Sequence, residues 1–105
     1  MDTLVQRLAE RPQPVTVGGP RPNVQDFQQR LEQIGYVFIK FTDTRGGTDL
    51  GFKVDKGATD LSGAHFAQAS GIAHVEGTLT LNYQKVRCIA DIDLATLQGT
   101  GNLVL

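Results

Sequence analysis

The sequence predicts a single α+β domain over residues 1–105, with two N-terminal helices packed on one face of a mostly antiparallel sheet of four to five strands. Apolar residues recur with helical spacing before Gly35 and alternate with polar ones after it. Helices followed by a run of strands are typical of α+β domains. A chain of 105 residues is also long enough for one hydrophobic core and too short for two.

Two helices are predicted before Gly35. The first spans Asp2 to Glu10, with Asp2 or Thr3 as its N-cap. The second begins after the cap Asn23 and ends at Gly35, a residue type that favours helix ends. Its apolar positions follow the spacing i, i+3, i+7 and i+10, which predicts one buried face. The residues at these positions are Val24, Phe27, Leu31 and Ile34.

The segment between the helices is predicted to be a Pro/Gly-rich connector at residues 11–22. It holds all four prolines and two of the twelve glycines. Proline lacks a backbone donor and disrupts regular structure, so we expect at most a short extended piece at Val15 to Val17.

The first predicted strands form a hairpin. Tyr36 to Thr42 is rich in aromatic and β-branched residues, and Thr48 to Asp55 alternates between apolar and polar side chains. Lys56 to Gly71 supports neither period and is interpreted as a loop.

Strand signals return from Ile72 onwards. We expect a turn at Asn82 to Gln84 and a strand over Lys85 to Leu94. The glycine spacing predicts a turn over Gln98 to Asn102, followed by a final strand at Leu103 to Leu105. Because the chain stops on three apolar residues, we expect either that this strand docks or that the segment belongs to a longer polypeptide.

Composition excludes several classes of partner. Ten basic and eleven acidic side chains give a formal net charge of -1, which offers no electrostatic footprint for nucleic acid or anionic lipid. No apolar stretch approaches the roughly 20 residues that span a bilayer, and a signal-peptide core is missing. Together with a lone cysteine, these features lead us to expect a cytoplasmic protein without a membrane partner.

Cys88 is interpreted as an inert core thiol. Val86, Ala90 and Ile92 share its strand face, whereas a nucleophilic cysteine needs an exposed, cationic setting. Pairing of Cys88, Ser62 or Ser70 with a histidine for nucleophilic catalysis would depend on geometry that the sequence does not give.

Metal chemistry has weak candidates. His74 and Glu76 have the H-x-E spacing of zinc deaminases, but a single cysteine cannot supply the rest of that motif. His65, His74 and Asp60 lack the close ligand spacing of zinc sites. We therefore interpret His74 and Glu76 as a solvated pair on one strand face.

Asp91 and Asp93 form a D-x-D pattern that could hold a hard cation. Lys85 and Arg87 share their strand face, so mutual neutralisation is the simpler interpretation. No phosphate-binding glycine motif occurs. The sequence accordingly predicts no catalytic, cofactor-binding or metal-binding residue.

The function expected from these exclusions is a non-enzymatic protein-interaction or adaptor module that acts through a sheet face or edge. Its partner would be another protein or a second copy of the chain. The predicted contact residues lie on the sheet face opposite the helices; they are Tyr36, Phe38, Arg87 and Ile89. The alternative is a small-ligand binding or catalytic domain with a pocket near residues 58–71.

Overall fold

The computed structural model describes residues 3–20 and 22–105, and about half of them lie in β-strands. The helices are α1 (Thr3–Ala9) and α2 (Val24–Gln29), and α2 continues into a π-helical turn (Arg30–Ile34). The strands are β1 (Gln13–Val17), β2 (Tyr36–Phe41), β3 (Thr48–Val54), β4 (Ala64–His65), β5 (Ser70–Leu81), β6 (Gln84–Asp93) and β7 (Gln98–Val104). The expected cap at Asp2 lies outside the described residues.

Six of the described strands close into an antiparallel barrel. They pair in the order β3-β2-β1-β7-β6-β5, and β5 pairs with β3 again at Lys53 with Thr78 and Val54 with Gly77. The predicted α+β fold, with both helices on one face of an open sheet, is therefore wrong. A barrel wall and a half-buried open sheet share the same alternation of apolar and polar residues, so the pattern could not tell them apart.

Gly77 lies at the seam where β3 meets β5. A Cβ atom there would come within 3.0 Å of the Lys53 carbonyl oxygen and of the Phe52 ring, with 2.7 Å to Phe52 Cε1. Beyond the paired residues, the backbone N–H of Asp55 donates to the Glu76 carbonyl at 2.8 Å. The seam joins segments distant in sequence, and it requires a residue without a side chain.

The inward faces of the strands agree with the predicted alternation. Apolar side chains from every strand of the barrel wall fill its interior at close packing. The inward residues that alternation identified and that are buried are Val37, Ile39, Phe41, Leu50, Phe52, Val54, Ala73, Val75, Val86, Cys88, Ala90, Ile92 and Leu94.

The two helices close opposite ends of the barrel. Helix α1 buries Val5 and Leu8, and Arg7 donates to the carbonyl of Asp43 at 3.2 Å, in the turn between β2 and β3. Helix α2 precedes β2 and lies at the other end, where Phe27 and Leu31 are buried. Of the described helices, none is long and apolar enough to cross a membrane.

At the end of α2, the buried residues differ from the buried helix face that the sequence predicted. Gly35 donates its N–H to the carbonyl of Arg30 at 2.7 Å, which closes a π-helical turn. The wider turn changes the direction of the last side chains, so Ile34 is 54% exposed. Val24 is half-buried, and the buried stripe is reduced to Phe27 and Leu31.

Three segments are more regular than predicted. Strand β1 runs through the predicted connector and pairs with both β2 and β7. Strand β7 includes the predicted turn at Gln98 to Asn102, because Gly99 permits close approach of β6 rather than a turn: a Cβ there would collide with the carbonyl of Asp91. The predicted loop at Lys56 to Gly71 contains β4 and a 3-10 turn (Phe66–Gln68).

Candidate functional site

The outer wall of β2 and β3 carries an aromatic pair. Alternation along β2 directs Val37 inwards and its neighbours Tyr36 and Phe38 outwards. The two rings have centroids 5.5 Å apart and an interplanar angle of 77°, an edge-to-face arrangement. Across the strands, Tyr36 pairs with Lys53 and Phe38 with Gly51.

Gly51 provides the space in which the rings lie. A Cβ atom there would be 2.7 Å from the Tyr36 hydroxyl and 2.9 Å from Phe38 Cε1. Gly19, whose φ is +95°, approaches the other side of Phe38, and a Cβ there would lie 3.1 Å from Cδ2. Phe38 therefore packs over backbone on two sides and Tyr36 on one, which holds the orientation of the rings.

Arg30 connects the aromatic pair to the helix. Its guanidinium carbon lies 5.2 Å from the Phe38 ring centroid, within cation–π range, and its Nε donates to Asp26 at 2.8 Å. Phe38 is half-buried under this contact, whereas Tyr36 is 41% exposed. We call the surface formed by Ile34, Tyr36 and Phe38 the aromatic face.

A cleft of about 570 Å³ adjoins the aromatic face at the barrel seam. The end of the π-helical turn forms one side of it and Thr78 of β5 the other. Val54 lies buried at its base, and Lys53 and Lys56 are both exposed. Ile34 belongs to the aromatic face and also lines this cleft, so the two form one continuous surface.

The structure does not bring the four predicted contact residues together. Tyr36 and Phe38 lie on β2, and Arg87 and Ile89 lie on β6. These strands are separated by β1 and β7 in one direction and by β3 and β5 in the other. The predicted patch therefore divides into two groups on opposite walls, because the expected contact assumed adjacent strands.

Arg87 belongs to a charged network on the β5–β6 wall. It donates to Asp55 at 2.7 Å and to Glu76 at 3.0 Å. Glu76 also bonds His74 Nε2 at 2.6 Å, and Asp91 bonds His74 Nδ1 at 2.7 Å. The network links the end of β3 to both strands of the longest hairpin.

The charges in this network stabilise one another. Hydrogen bonds from its ring to the carboxylates of Glu76, the larger effect, and of Asp91 raise the pKa of His74. The bond to His74 lowers the pKa of Glu76, and the bond to Arg87 lowers that of Asp55. With both ring nitrogens directed at carboxylates, His74 donates from both nitrogens only as the imidazolium, the form that the raised pKa favours. This arrangement suits a cross-link between strands better than proton transfer.

The remaining chemical candidates occupy ordinary structural positions. Cys88 is buried, and burial raises the pKa of its thiol to about 12. Ser62 donates its hydroxyl to Asp60 at 2.6 Å, within a local turn. The Asp93 carboxylate accepts the N–H of Ala95 at 2.9 Å. Within residues 3–20 and 22–105, no group of three or more His, Cys, Asp or Glu side chains is arranged to hold a metal ion.

A smaller hollow of about 220 Å³ lies beside the segment in which a ligand pocket was predicted. Leu31 and Leu61 supply its apolar lining, and Glu32, Lys56 and Thr59 supply polar groups. The side chains of the β5–β6 network do not line it, and the Thr59 hydroxyl connects it to that network by bonding the backbone of Glu76.

Sequence reasoning identified Tyr36 and Phe38 as outward aromatics but missed the cleft beside them. No local sequence pattern signalled the cleft, because it forms where the carbonyl of Gly35, at the end of the helix, accepts the N–H of Val54 at 2.9 Å. Comparison with known proteins adds no relative: no protein-family model matches the chain, and no curated protein matches its sequence.

Proposed function

We propose that this chain is a non-enzymatic protein-interaction module that binds its partner on the aromatic face. The observation that carries the proposal is the edge-to-face pair of Tyr36 and Phe38 on the outside of the barrel. The barrel interior is already filled by apolar side chains, so these rings make no contribution there. Gly51 and Arg30 hold the rings outside at a fixed orientation.

The composition of this face supports protein binding. Aromatic residues and arginine dominate the energetics of protein interfaces, because rigid rings bury a large area with little loss of side-chain freedom. Ile34, Tyr36 and Phe38 supply the apolar centre, with Arg30 and Lys53 beside it. This is the order expected of an interface, with an apolar centre and a polar rim.

The rest of the molecule supports the non-enzymatic part of the proposal. The titratable groups of the β5–β6 wall bond one another, and the Cys88 thiol is buried. A lone cysteine fits a reducing compartment, so a cytoplasmic location belongs to the proposal. A net charge of -1 argues for a protein rather than a nucleic-acid partner.

A second candidate is binding of a small ligand in the hollow beside Leu61. The observation that favours it is the combination of the apolar side chains of Leu31 and Leu61 with the charges of Glu32 and Lys56. A ligand there would perturb the amide signals of Thr59 and Leu61 and leave those of Tyr36 and Phe38 unchanged.

Site-specific photo-cross-linking in the native host tests the main proposal. The photoreactive residue p-benzoylphenylalanine replaces Tyr36 in one variant and Thr100, an exposed residue on β7, in the matched control. We expect a discrete cross-linked protein from position 36 that is missing from position 100. The same products from both positions, or none from either, would contradict binding on the aromatic face.

A further inference from the structure

The cleft beside the aromatic face indicates which chemical groups a partner would place there. It is bounded by Ile34 on the helix side and Thr78 on the strand side, and its volume of about 570 Å³ falls in the range of ligand and side-chain pockets. Ile34 is 54% exposed, so its side chain offers apolar surface within the cleft, whereas Val54 belongs to the buried core. An apolar side chain could pack there without displacing the barrel core.

Among the residues that line this cleft, positive charges outnumber negative ones. Lys53 and Lys56 line it and are exposed. Asp55 lies between them in sequence, but its carboxylate bonds Arg87 at 2.7 Å. Arg87 also bonds Glu76 at 3.0 Å, and Glu76 in turn bonds His74, so the charge of Asp55 is held within this network. Lys53 and Lys56 are the remaining charges among the residues that line the cleft, and they make its lining positive.

The surrounding contacts keep Lys56 close to the helix. Its ammonium lies 3.4 Å from the carbonyl oxygen of Glu32. The Glu32 carboxylate accepts a hydrogen bond from Gln28 at 3.3 Å and is directed along the helix surface. Lys56 thus stands between the cleft and the neighbouring hollow, with donors free to meet an additional acceptor.

We propose that this cleft receives an acidic segment of the partner protein, in which carboxylates meet Lys53 and Lys56 and an apolar side chain packs against Ile34 and Tyr36. The inference rests on the proposed function, since it extends the same surface. Opposite charges across an interface select the partner and speed association more than they add affinity. The cleft would accordingly supply selectivity and the aromatic face most of the binding energy.

Titration of the ¹⁵N-labelled protein with two peptides tests the proposal. One probe is the N-acetylated, C-amidated peptide Gly-Glu-Glu-Phe-Glu-Glu-Gly, and the other has lysine in place of each glutamate. The acidic peptide should shift the amide signals of Tyr36, Lys53, Lys56 and Thr78, and added salt should weaken the effect. Binding of both peptides equally, or of neither up to the solubility limit, would overturn the proposal.

Variants with reversed charge provide the second part of the peptide-binding test. The double variant Lys53→Glu/Lys56→Glu should weaken binding of the acidic peptide by about tenfold and favour the lysine peptide, as expected for two solvent-screened charges. The matched control is Lys85→Glu, an exposed lysine on β6 that should leave binding unchanged. If the double variant misfolds, Lys53→Gln/Lys56→Gln replaces it and should weaken binding in the same direction. Unchanged binding by the folded variant would overturn the proposal.

The variant Tyr36→Ala separates this inference from the proposed function. Suppose that the acidic peptide still binds the Tyr36→Ala variant through the lysines, while p-benzoylphenylalanine at position 36 cross-links no partner. The proposed cleft is then supported and binding on the aromatic face is wrong. If position 36 cross-links a partner but the peptides do not discriminate by charge, the interaction module stands and the acidic partner is wrong.

Discussion

Replacing Gly77 by alanine should destabilise the barrel more than the small size of the added methyl group suggests. The added methyl would come within 3.0 Å of the Lys53 carbonyl oxygen and lie 2.7 Å from Phe52 Cε1. The ring could rotate, but the carbonyl belongs to the strand that pairs with β5 and cannot move without opening the seam. Overpacking of this kind costs about 1–3 kcal/mol, and contact with backbone places Gly77→Ala near the upper limit, at about 3 kcal/mol.

The matched control is Gly57→Ala, in the segment that follows the seam. A Cβ at Gly57 would meet Asp55 Oδ1 at 3.5 Å, an ordinary contact. This substitution should be neutral or should stabilise the protein by a few tenths of a kcal/mol to about 1 kcal/mol, because alanine restricts the unfolded chain.

Thermal and urea melts compare the two variants with the wild type. A loss of about 3 kcal/mol corresponds to a fall in Tm of roughly 12 °C or more for a domain of this size. A Gly77→Ala variant that melts like Gly57→Ala would refute the reasoning, since β3 and β5 would then not be packed against each other at that residue.

Three further predictions concern the helix, the charged network and the thiol. Leu31→Ala should cost about 2–4 kcal/mol and Ile34→Ala less than about 1 kcal/mol, because the π-helical turn leaves Ile34 exposed; equal losses in denaturant melts would contradict this turn. Because the pKa of His74 is raised on folding, its contribution to stability is complete below pH 6.5 and is lost as pH rises through the raised value. His74→Gln should remove that dependence in urea melts, and a profile parallel to the wild type would count against the network. Cys88 should resist thiol reagents in the folded protein, since burial raises its pKa to about 12; rapid labelling under native conditions would be inconsistent with this.

Local features of the fold were predictable from the sequence. The side chain of Asn23 accepts from the N–H of Asp26 at 2.7 Å, as expected of an N-cap, and Gly35 ends the helix with a φ of 77°. The alternation in β2, β3 and β6 correctly assigned the inward residues. These features depend on neighbours within a few positions, which is the range over which sequence patterns carry information.

Closure of the barrel and the composition of the site could not be predicted from local sequence patterns. Gly77 and Gly51 resemble ordinary strand glycines, yet each allows close approach of a strand or a ring more than ten residues away in sequence. Whether Ile89 lies beside Phe38 depends on strand order, and the barrel places β2 and β6 on opposite walls. The cleft depends on the same closure, because its lining comes from both sides of the seam.

The seam is therefore the feature on which the account depends, since it separates the two walls and forms the cleft. Val54 and Gly77 lie directly opposite each other there. The hydrogen bond from the N–H of Asp55 to the carbonyl of Glu76 shows that Val54 and Gly77 form a non-hydrogen-bonded pair, the type in which the two Cα atoms are closer. A nuclear Overhauser measurement on the folded protein should show a strong contact between the Hα protons of Val54 and Gly77. Absence of that contact, with the remaining antiparallel pairings intact, would show an open sheet and contradict the closed barrel.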